Sequence, residues 1–138
     1  MTELLPQKGI IMILARELAS KLATATFLVE PDGTLVYYNE PAEKILGVEF
    51  AEAGPLKPDE WGTMFSPVDE QGNPLPLEKL PLAVTLASKR PSHRTFRITG
   101  MDGVTRAIAV TAIPLFARED EFVGGVAFFW EEGGPAAA

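Results

Sequence analysis

The sequence predicts an α+β domain: a five-stranded antiparallel sheet, short helices on one face, and an N-terminal amphipathic helix on the other. Three observations predict it. Asp32-Gly33 and Asp102-Gly103 each sit between apolar, strand-like runs, a strong local hairpin signal. Between Gly54 and Pro76 the chain is interrupted by Pro55, Pro58, Pro67, Pro74 and Pro76, which leaves room only for short helices and ordered loop. The final strand-like run, "FVGGVAFFW", is apolar on both faces, so the sheet needs a cover on each side.

The elements follow in order. Residues 1–9 carry Pro6 and Gly9 and read as loose. Over Ile10–Leu22 the pattern is helical: Ile11, Leu14, Leu18 and Leu22 recur at spacings of three and four, with Ile10 and Ile13 beside them. Ala25–Glu30 and Thr34–Tyr38 read as the two strands of a hairpin. At the second strand's end Asn39 or Glu40 can cap a helix, Pro41 suits its first turn, and Gly47 supplies the left-handed residue that stops it. One short helix is predicted at Asp59–Met64, a turn at Gln71-Gly72-Asn73, and a better helix from Pro81 to Arg90, which Pro91 ends.

Three strands close the chain. "HRTFRITG" alternates, with Phe96 and Ile98 on one side and His93, Thr95, Arg97 and Thr99 on the other. "VTRAIAVTAIP" sets Ile108 and Val110 against small Ala107, Ala109 and Thr111. In the last strand Val123, Ala127 and Phe129 oppose Val126, Phe128 and Trp130; the first set is assigned to the face under the N-terminal helix. The domain is expected to span 23–132, preceded by a helical segment at 1–22 and followed by a mobile tail at 133–138.

Composition narrows the function. The chain has 138 residues, room for one modest core, with 46% hydrophobic and 22% charged residues. Its net charge is −7 and its basic residues are scattered without interleaved aromatics, which argues against nucleic acid. Cysteine is absent, so disulfides, thiolate metal sites and thiol nucleophiles are excluded, in keeping with a reducing, cytoplasmic setting. The run Ile10–Ala15 is too short to span a bilayer, and no signal peptide is read.

Read together, "LVEPDGTLVYYNEPAEKILG", "DEQGNPLPLEKLPLAVTLASKRP" and "GMDGVTRAIAVTAIPLFAREDEFVGGVAFFWEE" resemble the PAS domains of signalling proteins over Ala23–Glu132. The resemblance implies a five-stranded antiparallel sheet cupping a small cavity, a sensory or dimerising role, a signalling partner such as a kinase or transcription regulator, and no catalysis. It also implies what is missing. Haem-binding members carry their histidine on the long helix, and "PLAVTLASKR" has none; members forming a flavin–thiol adduct need a cysteine. The Asp-Ile-Thr linker to an output domain is replaced by Trp130-Glu131-Glu132.

The candidate sites divide by chemistry. His93, the single histidine, sits on the polar side of a strand start and reads as exposed rather than as a haem or zinc ligand. Asp32, Asp69, Asp102 and Asp120 fall in turns, where carboxylates bond nearby backbone, and Ser20, Ser66, Ser88 and Ser92 lack a base. No metal, cofactor or enzyme activity is expected. Trp61, Phe65, Leu82, Leu86, Phe96, Ile98, Ile108, Val110 and Phe128 are the candidate lining of a cavity for a small, mostly apolar ligand, or the filling of a solid core. Ile10, Ile11, Ile13, Leu14, Leu18, Leu22 and Phe129 are the candidate homodimer surface. The expected function is a PAS-type signalling input or interaction module. Its alternatives are a dimerising adaptor without a ligand and a small cone-shaped α+β enzyme.

Overall fold

The structure, a computed structural model, describes residues 7–118 and 120–133. The elements run α1 (Gln7–Ala19), β1 (Ala25–Val29), β2 (Leu35–Tyr38), α2 (Glu40–Leu46), α3 (Phe50–Ala53), α4 (Pro58–Met64), a 3-10 turn (Leu77–Lys79), α5 (Pro81–Ser88), β3 (Ser92–Thr99), β4 (Thr105–Phe116) and β5 (Phe122–Glu131). The five strands form one sheet in the order β2-β1-β5-β4-β3, every pair antiparallel. The hairpins β1–β2, β3–β4 and β4–β5 are local, and β1 pairing with β5 closes the sheet through its centre. Segment 1–9, expected to be loose, is helical from Gln7 onward, and its first six residues lie outside the described residues. The tail expected to be mobile lies, beyond Gly133, outside them as well.

Local chemistry sets the boundaries. At the first hairpin Gly33 takes φ 93°, and Asp32 Oδ1 accepts from Thr34 N–H at 2.9 Å, the Asx geometry that favours Asp at a turn. Asn39 caps α2 with its side chain on Ala42 N–H, Pro41 lies in the first turn, and Gly47 ends the helix at φ 76°, its N–H donating to Glu43 O. The long helix is shorter than the sequence predicts. It stops at Ser88, and Lys89 adopts the left-handed conformation at φ 59°, two residues before Pro91.

Cross-strand register fixes the faces. Phe27–Ala127 and Ala25–Phe129–Val110 are opposite partners, which places Ala127 and Phe129 beside Phe27 and Val110 on the inner face, under α2, α4 and α5. Thr26–Phe128–Thr111–His93 form a row on the outer face, with Leu28–Val126–Ile113 next to it. The face assignment of β5 predicted from sequence is therefore reversed: Phe129 lies inside the domain and Phe128 outside it. From Phe122 to Trp130 every position except the two glycines can pass for core, so the alternation carries no sign.

Helix α1 covers the outer face, packing on β1, β4 and β5. Its buried side consists of Ala19 with half-buried Ile11, Met12 and Ala15. Leu14 and Leu18 point away from the sheet and are 58% and 60% exposed, as is Ile13 at 60%. The alanines win the contact because the strands beneath present short side chains, Thr26 and Ala109 among them, and small residues permit close approach.

Candidate functional site

The inner face carries a partly open pocket of about 80 Å³. Its floor is sheet: Phe27, Phe96, Ile98, Ile108, Val110, Ala127 and Phe129. Its walls come from the helical side, with Leu46 at the end of α2, Trp61 and Phe65 in and after α4, and Leu80, Pro81 and Leu82 at the start of α5. Each residue is apolar, and the one polar atom among them is consumed: Trp61 Nε1–H donates to Gly33 O at 2.8 Å. That bond ties α4 to the tight hairpin, and a Cβ at Gly33 would lie 2.6 Å from Pro58 Cγ. The corner at Asp32-Gly33 thus clamps α4 over the cavity. Phe27 stacks on Tyr38 at 6.0 Å and meets Trp61 edge-on at 5.6 Å, so an aromatic group fixes this wall.

Among the described residues no buried side-chain polar atom lacks a partner, so the cavity offers nothing for a ligand's polar group to satisfy. Tyr38, buried just beyond the wall, donates its hydroxyl to Val48 O at 2.9 Å, and burial, with the carboxylates of Glu43 and Glu52, pushes its pKa up to about 12.

A second feature joins this wall to the outer face. Asn39, fully buried, uses its whole side chain. Oδ1 accepts from Thr26 N–H (2.9 Å) and Ala42 N–H (3.2 Å), while Nδ2 donates to Ala19 O and Thr24 O, both at 2.9 Å. One amide therefore holds the end of α1, the first strand and the start of the helix that supplies Leu46 to the cavity.

Five antiparallel strands in this order, cupping a cavity under short helices, are a known arrangement. The chain has the PAS fold. It matches the PAS domain of an HTR-like protein from Haloarcula marismortui with a TM-score of 0.59, 14% identity and coverage of 89% of this chain and 93% of that one. A PAS domain from a two-component sensor histidine kinase matches at 0.51 with 13% identity, covering 90% and 98% of the two chains. The LOV protein of Rhodobacter sphaeroides matches at 0.69 with 14% identity, over 94% of this chain and 70% of that one. No protein-family model matches the sequence, and neither does any curated protein.

Within this PAS fold the lining expected from sequence is largely assembled. Trp61, Phe65, Leu82, Phe96, Ile98, Ile108 and Val110 surround the cavity. Leu86 packs against the core without lining it, and Phe128 lies across the sheet. Phe27, Leu46, Pro67, Leu80, Pro81, Ala127 and Phe129 complete the lining unforeseen. Of these, Phe129, Ala127 and Phe27 follow from strand register once Val110 is placed inside; the others, from the helical side, need the helix positions.

Haem or flavin does not fit here. The cavity is far smaller than either group, it presents no free polar or ligating atom, and His93 lies on the opposite face of the sheet, exposed, with Nδ1 2.7 Å from Thr111 Oγ1. Among the described residues no cluster of histidine and carboxylates is arranged to hold a metal ion. The turn aspartates behave as turn residues. Asp69 Oδ1 accepts from Gln71 and Asn73 N–H, and the bonds from Arg106 and Val104 lower the pKa of Asp102.

Proposed function

We propose that this PAS-fold domain is a signalling input module that binds a small, neutral, mostly hydrocarbon ligand in its inner cavity and reports occupancy through α1. The observation that carries the reading is the partly open pocket of about 80 Å³ with an all-apolar lining whose one polar side-chain atom, Trp61 Nε1, is already bonded. Such a lining favours compact apolar guests over anything charged. The reading includes no catalysis, no metal and no bound cofactor. It places the domain in the cytoplasm as a homodimer acting on a signalling protein such as a kinase or transcription regulator. No described helix is long and apolar enough to cross a membrane.

The route from cavity to output is short. A guest pressing on Leu46 displaces α2, and α2 begins at the Asn39 amide that also grips Ala19 at the end of α1. For this to signal, the guest must prefer one placement of α1 over another. The exposed Ile13, Leu14 and Leu18 supply the apolar surface on which two copies pair, the commonest fate of such a patch.

The cavity's small size supports a second reading, a dimerising adaptor whose core is simply imperfectly filled. Titration with benzene, followed by thermal melting and methyl NMR, separates them. Saturable stabilisation with shifts at Ile98, Ile108 and Val110 and a response in α1 supports the sensor. Shifts absent at these residues up to the solubility of benzene would leave the adaptor.

A further inference from the structure

Half of one sheet edge is closed and half is open. At the closed half, Val68 N–H donates to Arg97 O at 2.9 Å, Arg97 N–H donates to Val68 O at 3.0 Å, and Thr99 N–H donates to Phe65 O at 2.8 Å. Backbone groups alternate in direction along a strand, so His93 and Thr95 aim their N–H and C=O groups outward, as Arg97 does. Among the described residues nothing bonds to those four groups. Native proteins manage a sheet edge by shortening, charging, bulging or covering it, and this one is covered only as far as Arg97.

The open half is also where the chain concentrates positive charge. Against a net charge of −7, Lys89, Arg90, Arg94 and Arg97 fall within nine residues, and no Asp or Glu occurs between Glu78 and Asp102. Ion pairs among the described residues join Lys21 to Glu17 and Arg106 to Asp102 and Glu131, so these four cations have no carboxylate partner there. Lys89 lies over the Phe122 ring at 4.9 Å, Arg90 and Arg97 are exposed, and Arg94 is half-buried. Asp69, next to Val68, has its Oδ1 committed to its own turn.

We propose that the open edge of β3 docks an extended acidic segment of a partner protein, which adds as a further strand beside His93–Thr95. Its backbone bonds to His93 and Thr95, and its carboxylates meet Arg90, Arg94 and Arg97. Charge selects this occupant: a second copy paired edge to edge would bring the same cations together, and a neutral strand would leave them unmatched. Val68 terminates the site, so roughly three or four residues add, spanning about 10 Å. Binding is accordingly weak, additive to other contacts, and sensitive to salt.

The test uses the intact chain and a labelled, end-blocked peptide of alternating valine and glutamate at about 50 mM salt. Fluorescence anisotropy should saturate. Amide exchange should slow at His93 and Thr95 and stay unchanged at Arg94 and Phe96, which already face β4. Paired Arg90→Glu and Arg97→Glu should weaken binding about tenfold or more, Thr95→Pro should abolish it with every cation in place, and a valine–lysine peptide should not bind. Unprotected His93 and Thr95 amides at saturating peptide would overturn the proposal even if Thr95→Pro fails to fold. So would retained binding by a folded Thr95→Pro, tighter binding of a single-stranded oligonucleotide, or protection that grows with protein concentration alone.

Discussion

The two faces of the sheet are built to different standards. The inner face is lined by Phe27, Phe96, Ile98, Ile108, Val110 and Phe129, all at most 7% exposed, and several helical segments pack over it around an apolar pocket. The outer face carries one helix on shorter side chains. That helix leaves Ile13, Leu14 and Leu18 in solvent, and Trp130 on the same face is 42% exposed. A face that keeps an apolar pocket beneath its helices is suited to holding a guest, and a face that leaves apolar side chains in solvent is suited to holding another protein. On this division the proposed binding and assembly roles need not compete for the same residues.

Neighbouring residues in β1 give the strongest way to break this comparison, because Phe27 points inward and Leu28 outward. Phe27→Ala should destabilise by about 3–5 kcal/mol and Leu28→Ala by about 2–4 kcal/mol. Only the first should enlarge the apolar cavity and let it accept larger aromatic probes, read by calorimetric titration. Equal effects of both variants on probe size would dissolve the distinction between the faces.

Asn39 joins the faces, so its replacement should be felt on both. Asn39→Ala leaves Thr26 N–H without its buried partner, takes from the Ala19 carbonyl one of its two donors, and should cost about 2–3 kcal/mol in chemical denaturation. Amide exchange should rise in the last turn of α1 and the first turn of α2 together. A rise confined to α2 would show that the residue is a helix cap and nothing more.

How much of this was legible depends on side-chain contrast. In β4 the branched Ile108 and Val110 alternate with Ala107, Ala109 and Thr111, and the sequence reading placed them correctly. In β5 large residues occupy both registers, and only pairing with β1 and β4 shows that Phe129 faces the cavity while Phe128 faces α1. On α1 the apolar stripe does not by itself say which side meets the sheet: Leu14 and Leu18, read as surface for a second copy, stay in solvent, while Ala15 and Ala19 fit the shallow face below. Helix α3 went unread because it is four residues long and depends on Glu43, whose carboxylate accepts from Phe50 N–H at 2.9 Å, a contact outside any local pattern. The hairpin corner and the cap at Asn39 were readable because Asp-Gly and Asn-x-Pro are chemical instructions in themselves.

A smaller effect sharpens the picture of the inner wall. Burial holds the Tyr38 hydroxyl protonated in the folded protein up to about 12, whereas an unfolded tyrosine ionises near 10.0. Its contribution to stability is therefore complete below about pH 10 and is lost as the pH rises from there through about 12. Relative to the parent, Tyr38→Phe should lose about 1 kcal/mol at neutral pH through the missing bond to Val48 O. Denaturation curves at stepped pH should then show the variant declining less steeply over that alkaline window.

The claim that the outer face assembles while the inner face holds a guest is tested most directly by the mass of the protein in solution. Light scattering on the parent should give twice the chain mass. Leu14→Asp with Leu18→Asp, both on the solvent side of α1, should give the single-chain mass with a melting temperature within a few degrees of the parent, since exposed substitutions change stability little. A parent that remains at single-chain mass at high concentration, or a folded double variant that still scatters as a dimer, would contradict the account.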